Sequence, residues 1–221
     1  MITTIIPTKN EETTIKGIIK SVKPYSDEII VIDGHSKDKT RDISLKEKVN
    51  VILDNKKGKG AALRIAGKKA KGDILVFIDS DGSHDPKDIP KLVEPIVKNK
   101  ISLVIASRIK GGSDEFQGDF EKVFRTIASH LITATINWRW KKNLSDTQNG
   151  FRSIRKDVFL DIKLKENSFT IEQEMVMKCL KKGYKIIEIP SHEYQRKKGI
   201  SRIKLWKEGP KYVWCLIKNI L

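Results

Sequence analysis

The sequence is poor in cysteine and carries no secretory signal. Cys179 and Cys215 are the two cysteines among 221 residues, and they fit no spacing pattern of a metal site. They argue against a disulfide framework and against a structural zinc site. The N-terminus, MITTIIPTKNEE, lacks a basic start followed by a long apolar stretch. We therefore expect an intracellular protein.

The sequence also lacks long apolar runs and the common phosphate-binding loop. No run approaches the roughly 20 apolar residues that a helix needs to span a bilayer. Any membrane contact is therefore expected to be peripheral. The G-x-x-x-x-G-K-[ST] loop is absent, and Gly58-Lys59-Gly60 is too short to replace it. These absences argue against a membrane-spanning protein and against a P-loop nucleotidase.

Basic residues outnumber acidic ones in this chain. There are 44 Lys and Arg residues against 28 Asp and Glu residues, a formal net charge of +16. Such an excess favours anionic partners, such as nucleic acid, phosphorylated small molecules or an anionic membrane surface. The lysines are spread along the chain without interleaved aromatics, which argues against a nucleic-acid-binding sheet surface. We expect no nucleic acid partner, and a basic nucleic-acid-binding module is the rival hypothesis.

Strand-like and helix-like segments alternate over the first half of the chain. The predicted strands cover residues 3–7, 28–33, 49–54, 73–79 and 101–107. The predicted helices between them cover residues 11–22, 38–47, 60–72 and 86–99. This order is typical of βαβ units. It predicts a single α/β domain over residues 1–221, built on a mostly parallel central sheet with flanking helices.

Polar side chains follow the carboxyl ends of four predicted strands. Residues 7–11 close the first strand, Asp33 the second, Asp79 and Asp81 the fourth, and Arg108 follows the fifth. Ligands of such sheets bind at this edge, and Asp79 and Asp81 point to the same side because side chains alternate along a strand. Turns and helix caps explain single aspartates, but not three carboxylates with an arginine. The sequence therefore predicts a site for Mg²⁺ or Mn²⁺ bridged to phosphate oxygens.

Six short motifs occur in order along almost the whole chain. They are PTKNEE (7–12), VIDGHSKDKT (31–40), NKKGKGAALRIA (55–66), FIDSDGSHDP (77–86), ASRIKGG (106–112) and DTQNGFRSIRKDVF (146–159). Together they resemble the inverting family 2 glycosyltransferases of GT-A fold, and within that family the dolichyl-phosphate mannose synthase branch. The resemblance implies a GT-A, Rossmann-like α/β fold and a glycosyltransferase that depends on Mg²⁺ or Mn²⁺.

The resemblance also implies roles for individual residues in binding a nucleotide-sugar donor. The nucleotide base and ribose would be held by Pro7, Lys9, Glu11, Val31 and Asp33. The D-x-D motif would consist of Asp79, Ser80 and Asp81. Asp81 would bind the metal directly, with Ser83 as the second ligand, or water, His84 or Asp85 in its place. The donor phosphates would be met by Arg108, Arg196 and Arg202.

The reaction that the resemblance implies is transfer of a sugar to a polyprenyl or dolichyl phosphate. GDP-mannose is the first expectation for the donor, with UDP-glucose or UDP-GlcNAc as alternatives. A phosphate acceptor is already anionic and needs cationic positioning rather than a strong base; Arg108, Arg125 and Ser129 suit that role. A soluble sugar or polysaccharide hydroxyl would need a base, for which Asp146 is the candidate, although Asp146 equally suits a turn or cap. The candidate catalytic residues are Asp81, Arg108 and Asp146.

Two amphipathic segments follow residue 112, where the regular alternation stops. Residues 119–140 and 204–221 are predicted to be helices, and they contain Trp138, Trp140, Trp206 and Trp214. Such helices either pack on the sheet or contact a membrane, and tryptophans bordered by lysines favour the bilayer interface. We therefore expect a peripheral protein on the cytoplasmic face of a membrane.

The chain divides, on this interpretation, into a nucleotide-sugar and metal half (1–112), an acceptor half (113–204) and an amphipathic tail (205–221). Residues 170–190 are predicted to form a helix followed by a strand. The Gly209-Pro210 pair is expected to break or kink the last helix. The basic segment from Arg196 to Arg202, which contains a glycine, is expected to be mobile without ligand and to close over the donor diphosphate.

Overall fold

A computed structural model describes residues 1–114, 120–196 and 205–220, which form one seven-stranded sheet with helices on both faces. The strands are β1 (Ile2–Thr8), β2 (Glu28–Asp33), β3 (Asn50–Leu53), β4 (Ile74–Phe77), β5 (Leu103–Ser107), β6 (Arg152–Arg155) and β7 (Ile186–Pro190). The helices are α1 (Ile15–Val22), α2 (Thr40–Lys46), α3 (Lys59–Lys69), α4 (Ile89–Asn99), α5 (Arg108–Gly111), α6 (Phe120–Trp140), α7 (Lys156–Asp161), α8 (Ile171–Lys181) and α9 (Leu205–Ile220).

The strand order across the sheet is β3-β2-β1-β4-β6-β5-β7. All neighbouring strands run parallel except β6, which is antiparallel to both β4 and β5. The predicted mostly parallel α/β sheet is thus confirmed, as are the helix and strand within residues 170–190. The strand order reverses between β1 and β4, and such a reversal opens a crevice at the carboxyl ends of the two strands. The D-x-D segment follows β4 directly at this crevice.

The central antiparallel strand β6 was not predicted. It is four residues long, and arginine occupies both of its ends. Nevertheless Arg152 is 1% exposed. Its guanidinium donates to the carbonyl oxygens of Asn149 and Glu172, each at 2.8 Å. These carbonyl groups supply the hydrogen bonds that the buried guanidinium group needs. From the sequence alone, Arg152 would be expected at the surface.

The sheet separates two hydrophobic clusters because successive side chains of a strand point to opposite faces. On one face, Ile5 of β1 packs with residues of α3, α7 and α8. On the other face, the neighbouring Ile6 packs with residues of α1 and α4. A sheet covered on both faces has continuous apolar strands, which explains the short apolar runs in the sequence.

The last helix is continuous through Gly209-Pro210, so of the two expectations for this pair, a break or a kink, the break does not occur. Helix α9 is continuous from Leu205 to Ile220, with Pro210 inside it. Proline removes one backbone N–H, whose acceptor in a regular helix would be the carbonyl oxygen four residues earlier. That residue is Trp206, which is 91% exposed. Water can satisfy the carbonyl group there, so the helix continues at low cost.

Candidate active site

The Asp81 carboxylate lies in the crevice with both oxygens engaged. Oδ1 accepts the backbone N–H of Ser83 at 3.1 Å and the Ser83 hydroxyl at 2.7 Å. Oδ2 lies 3.1 Å from Nη1 of Arg196. Three residues that the sequence assigned to metal and donor phosphate are therefore in direct contact.

The donor atoms at Asp81 fit a hard divalent cation. Carboxylate and hydroxyl oxygens suit Mg²⁺ or Mn²⁺. The positively charged guanidinium group of Arg196 already contacts Oδ2, which shows that a cation is accommodated there. Among the described residues, no group of three or more His, Cys, Asp or Glu side chains could form a metal cage. Mg²⁺ commonly binds through one or two carboxylates together with waters and substrate phosphates. Asp81 and Ser83 are thus the residues that would hold the ion.

His84 and Asp85, the alternatives to Ser83 as second metal ligand, differ in their surroundings. The His84 ring is 5% exposed, and its Nδ1 atom has no hydrogen-bond partner in the described part of the protein. Burial lowers the pKa of His84 more than the nearby carboxylates raise it, so the ring is neutral near pH 7. Asp85 accepts the backbone N–H of Lys87 at 3.0 Å and so caps the turn that precedes α4. The Nδ1 atom of His84 is therefore a buried polar atom without a hydrogen-bond partner next to the Asp81 site.

The Asp79 carboxylate is held by a lysine that the sequence analysis did not select. Nζ of Lys59 lies 2.8 Å from Oδ1 of Asp79 and 2.9 Å from Oε1 of Glu172. Burial alone would raise the pKa of Asp79, but the Lys59 ammonium outweighs it and keeps the pKa below its usual value. Between the two aspartates, Ser80 donates its hydroxyl to the carbonyl oxygen of Pro7 at 3.1 Å, which joins the ends of β4 and β1.

The residues assigned to the base and ribose lie after β1 and β2. The Asp33 carboxylate accepts the backbone N–H of Ser36 at 3.1 Å and the hydroxyl of the same residue at 2.5 Å. Lys9 is exposed, and the half-buried Glu11 precedes α1 and donates its backbone N–H to Thr40. The Val31 side chain is fully buried in the hydrophobic cluster formed with α1 and α4, so it does not face solvent.

Arg108 and Asp146 form a bidentate ion pair. Nε of Arg108 lies 2.6 Å from Oδ2 of Asp146, and Nη2 lies 2.9 Å from Oδ1. Oδ1 also accepts the backbone N–H groups of Gln148 and Asn149 at 3.2 and 3.1 Å, which is the arrangement of a turn cap. Burial alone would raise the pKa of Asp146, but Arg108 outweighs it and lowers the pKa. Such a carboxylate is a weak proton acceptor near neutral pH.

A buried glutamate of β7 fixes the segment that carries Asp146. The Glu188 carboxylate accepts the backbone N–H groups of Ser145 at 2.8 Å and Asp146 at 2.7 Å. Its other oxygen lies 3.0 Å from the Lys110 ammonium. The signal for this role is a single acidic residue inside the apolar strand IIEIP, which the sequence analysis did not use.

A cavity of about 470 Å³ lies between α6, α9 and the carboxyl edge of the sheet. Its lining includes the charged side chains of Arg108, Asp146, Glu193 and Arg196. It also includes apolar side chains, among them Phe124, Ile132, Trp206 and Val213. Arg125 and Ser129, the two predicted acceptor residues on α6, also line this cavity. Arg202 lies outside the described residues, as does most of the segment expected to close over the donor.

The outer faces of α6 and α9 expose large apolar side chains. On α6, Leu131 is 65% and Trp138 is 79% exposed. On α9, Trp206 is 91% and Trp214 is 64% exposed, whereas Trp140 is half-buried against the core. Within the described ranges, no helix combines the length and apolar character that a membrane crossing requires.

Comparison with known proteins identifies the family. The model of the family described as glycosyl transferase family 2 matches residues 3–163. A dolichol-phosphate mannosyltransferase of Pyrococcus furiosus is 32% identical over 213 residues, which cover 92% of this chain and 59% of the relative. The glycosyltransferase AglJ of Haloferax volcanii is 29% identical over 200 residues, covering 88% of this chain and 63% of the relative. The chain thus spans about three fifths of the length of these relatives.

Solved structures share the fold at low sequence identity. Glucosyl-3-phosphoglycerate synthase from Mycobacterium tuberculosis, solved with Mn²⁺, UDP and phosphoglyceric acid, gives a TM-score of 0.77 at 20% identity over 100% of this chain and 78% of that chain. The same enzyme with Mg²⁺ and UDP gives a TM-score of 0.78 at 22% identity over 100% and 79%. Since the family model covers most of the chain and the fold agrees, the chain belongs to glycosyl transferase family 2 and has the GT-A fold.

Proposed function

We propose that this protein transfers a sugar, mannose as the first candidate, from a nucleotide diphosphate sugar to a polyprenyl phosphate, with inversion and with Mg²⁺ or Mn²⁺. The observation that carries the proposal is the composition of the 470 Å³ cavity. The lining combines charged side chains, among them Arg196, which contacts Asp81, with apolar side chains of α6 and α9. An amphipathic phosphate fits a cavity with this mixed lining.

The donor diphosphate belongs, in this proposal, at the Asp81 end of the cavity. A bound divalent ion would neutralise the charge that develops on the leaving nucleotide diphosphate. Asp81 and Ser83 would hold that ion, while Arg196 and Arg202 would bind phosphate oxygens through charge-assisted hydrogen bonds. The complexes of the mycobacterial synthase with Mn²⁺ or Mg²⁺ and UDP support a metal-bound nucleotide in this fold.

The state of Asp146 favours a phosphate acceptor over a hydroxyl acceptor. A hydroxyl nucleophile needs a base, and Asp146 is a weak one because Arg108 holds it as a bidentate carboxylate. A phosphate monoester is already anionic and needs only to be bound and oriented. Arg108, Arg125 and Ser129 would do this, and the Pyrococcus relative, a dolichol-phosphate mannosyltransferase, supports the same acceptor class.

A second candidate keeps the fold and changes the substrates. The structural neighbours include a glucosyl-3-phosphoglycerate synthase solved with UDP, which favours UDP-glucose or UDP-GlcNAc as donor and a soluble acceptor. In that case Asp146 would have to act as the base despite its pairing with Arg108. The apolar side chains of α6 and α9 that line the cavity would then have no apolar ligand to contact.

The lipid acceptor gives the exposed faces of α6 and α9 a role at a membrane. Tryptophans with nearby lysines are suited to the bilayer interface. Trp206 and Trp214 are exposed on α9, where Lys211 and Lys218 carry positive charge. We therefore propose peripheral binding to the cytoplasmic face of an anionic membrane, with the cavity mouth facing the lipid.

One transfer assay tests donor and acceptor together. The protein is incubated with radiolabelled GDP-mannose, UDP-glucose or UDP-GlcNAc, Mg²⁺ or Mn²⁺, and a short polyprenyl phosphate. We expect the label in the organic phase with one donor, and only when the acceptor carries its phosphate. The neutral polyprenol is the matched control. Equal transfer to the neutral polyprenol, or to a water-soluble sugar, would refute the lipid-phosphate acceptor.

A further inference from the structure

The Lys59 ammonium group joins the first aspartate of the D-x-D motif to helix α8. It lies 2.8 Å from Oδ1 of Asp79 and 2.9 Å from Oε1 of Glu172, and the Phe169 ring centroid is 5.7 Å away. The side chain of Lys59 is 14% exposed and that of Glu172 is 4% exposed, whereas that of Asp79 is 29% exposed. The lysine is therefore nearly enclosed, and the aspartate is the member of the group that still meets solvent.

Close backbone packing fixes the position of Lys59. It is the first residue of α3, between Gly58 and Gly60. Gly58 has φ +114°, and a Cβ atom there would lie 2.5 Å from the carbonyl oxygen of Asn167. A Cβ atom on Gly60 would lie 2.4 Å from the carbonyl oxygen of Glu166. Only glycine permits this approach, so the start of α3 is held against the segment that leads into α8.

Local helix preference does not explain a lysine at this position. The amino end of a helix carries partial positive charge, which favours acidic rather than basic residues in the first turn. The first turn of α3 contains no acidic residue and begins with Lys59. A residue that opposes the local preference points to a functional or tertiary requirement. The two carboxylates supply that requirement here.

The second oxygen of the Asp79 carboxylate lies beside Gly150, where a Cβ atom would come within 2.8 Å of Oδ2 and 3.1 Å of Nζ of Lys59. Lys59 contacts Oδ1 at 2.8 Å, and the Asp79 side chain keeps 29% of its surface exposed to solvent. One oxygen is thus fixed by the protein, in a carboxylate that a ligand can still reach.

We propose that Lys59 is a positioning residue, which fixes the Asp79 carboxylate so that its Oδ2 atom accepts a hydroxyl group of the nucleotide-sugar donor. The inference rests on the proposed function, because it needs a hydroxyl-bearing donor beside Asp81. It assigns to α3 and α8, which lie outside the D-x-D segment, a share in donor affinity. Glu172 holds the other side of the ammonium and limits its movement.

A double-mutant cycle separates this role from a merely structural one. All variants carry Glu172→Gln, so that no glutamate is left buried beside an unpaired site when Lys59 is changed. In this background we compare Lys59→Met, Asp79→Asn and the double variant. The measurement is calorimetric binding of GDP-mannose and UDP-glucose in the presence of Mn²⁺. Glu172→Gln alone is the reference protein, against which the donor affinity of each other variant is compared.

We expect Lys59→Met to weaken donor binding about tenfold or more, as loss of a well-placed hydrogen bond to a charged group does. In the Asp79→Asn background the same change should have almost no effect, because Lys59 acts through Asp79. An equal loss in both backgrounds would show that Lys59 acts on the fold and would overturn the inference. If the Met variants do not fold, Lys59→Arg replaces them: retained charge should retain donor affinity, and tenfold weakening in a folded Lys59→Arg protein also overturns the inference.

Lys178→Met is the matched control. Lys178 pairs with the buried Glu174 of the same helix at 2.8 Å, but the pair lies away from the crevice. Its loss should lower the melting temperature and leave donor affinity unchanged, and a comparable loss of donor affinity would overturn the inference. If the wild type binds no nucleotide sugar at all, the proposed function fails together with this inference. Wild-type binding that does not depend on Lys59 defeats only the inference.

Discussion

Replacing Arg196 by glutamine should change the binding of metal and of nucleotide in opposite directions. In the structure, Nη1 of Arg196 lies 3.1 Å from Oδ2 of Asp81. A divalent cation that binds Asp81 alone must therefore displace the guanidinium group. When a nucleotide diphosphate binds with the cation, the proposed function gives the arginine a new partner in the phosphate oxygens. Arg196 thus competes with the free cation and assists the cation–nucleotide complex.

The magnitude follows from the contact that is lost. A hydrogen bond to a charged group contributes about 1.5–3 kcal/mol, and 1.4 kcal/mol corresponds to about tenfold in affinity. The Arg196 side chain is 31% exposed and makes one contact with Asp81, so solvent screening places its effect near the lower end of that range. We expect Mn²⁺ alone to bind Arg196→Gln about tenfold more tightly, and Mn²⁺ with GDP or UDP to bind about tenfold more weakly.

Two titrations measure the two effects. Electron paramagnetic resonance of free Mn²⁺ gives the affinity for the ion without nucleotide, and calorimetry gives the affinity for the nucleotide at saturating Mn²⁺. Lys98→Gln is the control for net charge, since Lys98 pairs with the exposed Glu94 on α4 at 2.6 Å, away from the crevice. It should change neither affinity.

A shift of both affinities in the same direction would refute the exchange of Arg196 between carboxylate and phosphate. An unchanged Mn²⁺ affinity would show that the arginine leaves Asp81 at no cost, and the reasoning from the 3.1 Å contact would fail.

Four further predictions concern the metal, the acceptor, the membrane and pH. Asp81→Asn should lose most turnover with little change in melting temperature, because the carboxylate lies at the rim of the sheet, and full activity of the wild type in EDTA would contradict the metal site. Arg125→Ala should raise the KM for polyprenyl phosphate about tenfold and leave donor binding intact; unchanged transfer kinetics would remove Arg125 from the acceptor site. Replacing Trp206 and Trp214 together by alanine should reduce co-sedimentation with anionic vesicles, and equal binding of both proteins would argue against membrane contact through α9. Asp146→Asn should lower the free energy of unfolding at pH 7. The lowered pKa makes the carboxylate stabilising above its unfolded value of about 3.9, and this stability is lost as the pH falls through the folded pKa, so urea unfolding of the two proteins should converge in acid.

The sequence predicts the first five strands well, because β1 to β5 are continuous apolar runs separated by helical periodicity. It does not predict β6, because Arg152 reads as a surface residue. The burial of Arg152 depends on carbonyl groups of Asn149 and Glu172, which only the folded chain brings near it. The continuity of α9 through Pro210 has a similar cause, since it depends on the exposure of Trp206 four residues earlier.

The candidate site, like the fold, could be predicted only in part. The placement of Asp33, Asp81 and Arg108 at one edge of the sheet could be predicted, because parallel strands have their carboxyl ends at the same edge. The pairing of Lys59 with Glu172 could not be predicted, because the two residues are far apart in the sequence and no single motif contains both. Resemblance to a family assigns residues to a ligand, whereas the hydrogen-bond partners that hold those residues come from tertiary packing.

The antiparallel strand β6 also constrains how the protein can fold. It separates β4 from β5 and pairs with both, so these two strands have no direct contact with each other. A chain that ends near residue 112 would therefore leave facing edges of β4 and β5 unpaired, and such edges readily pair with other chains. Residues 1–112 thus contain β4 and β5 but lack the strand that joins them in the sheet. During synthesis, the centre of the sheet closes only after Arg152–Arg155 has left the ribosome, so a nascent chain of intermediate length is the form of this protein most exposed to aggregation.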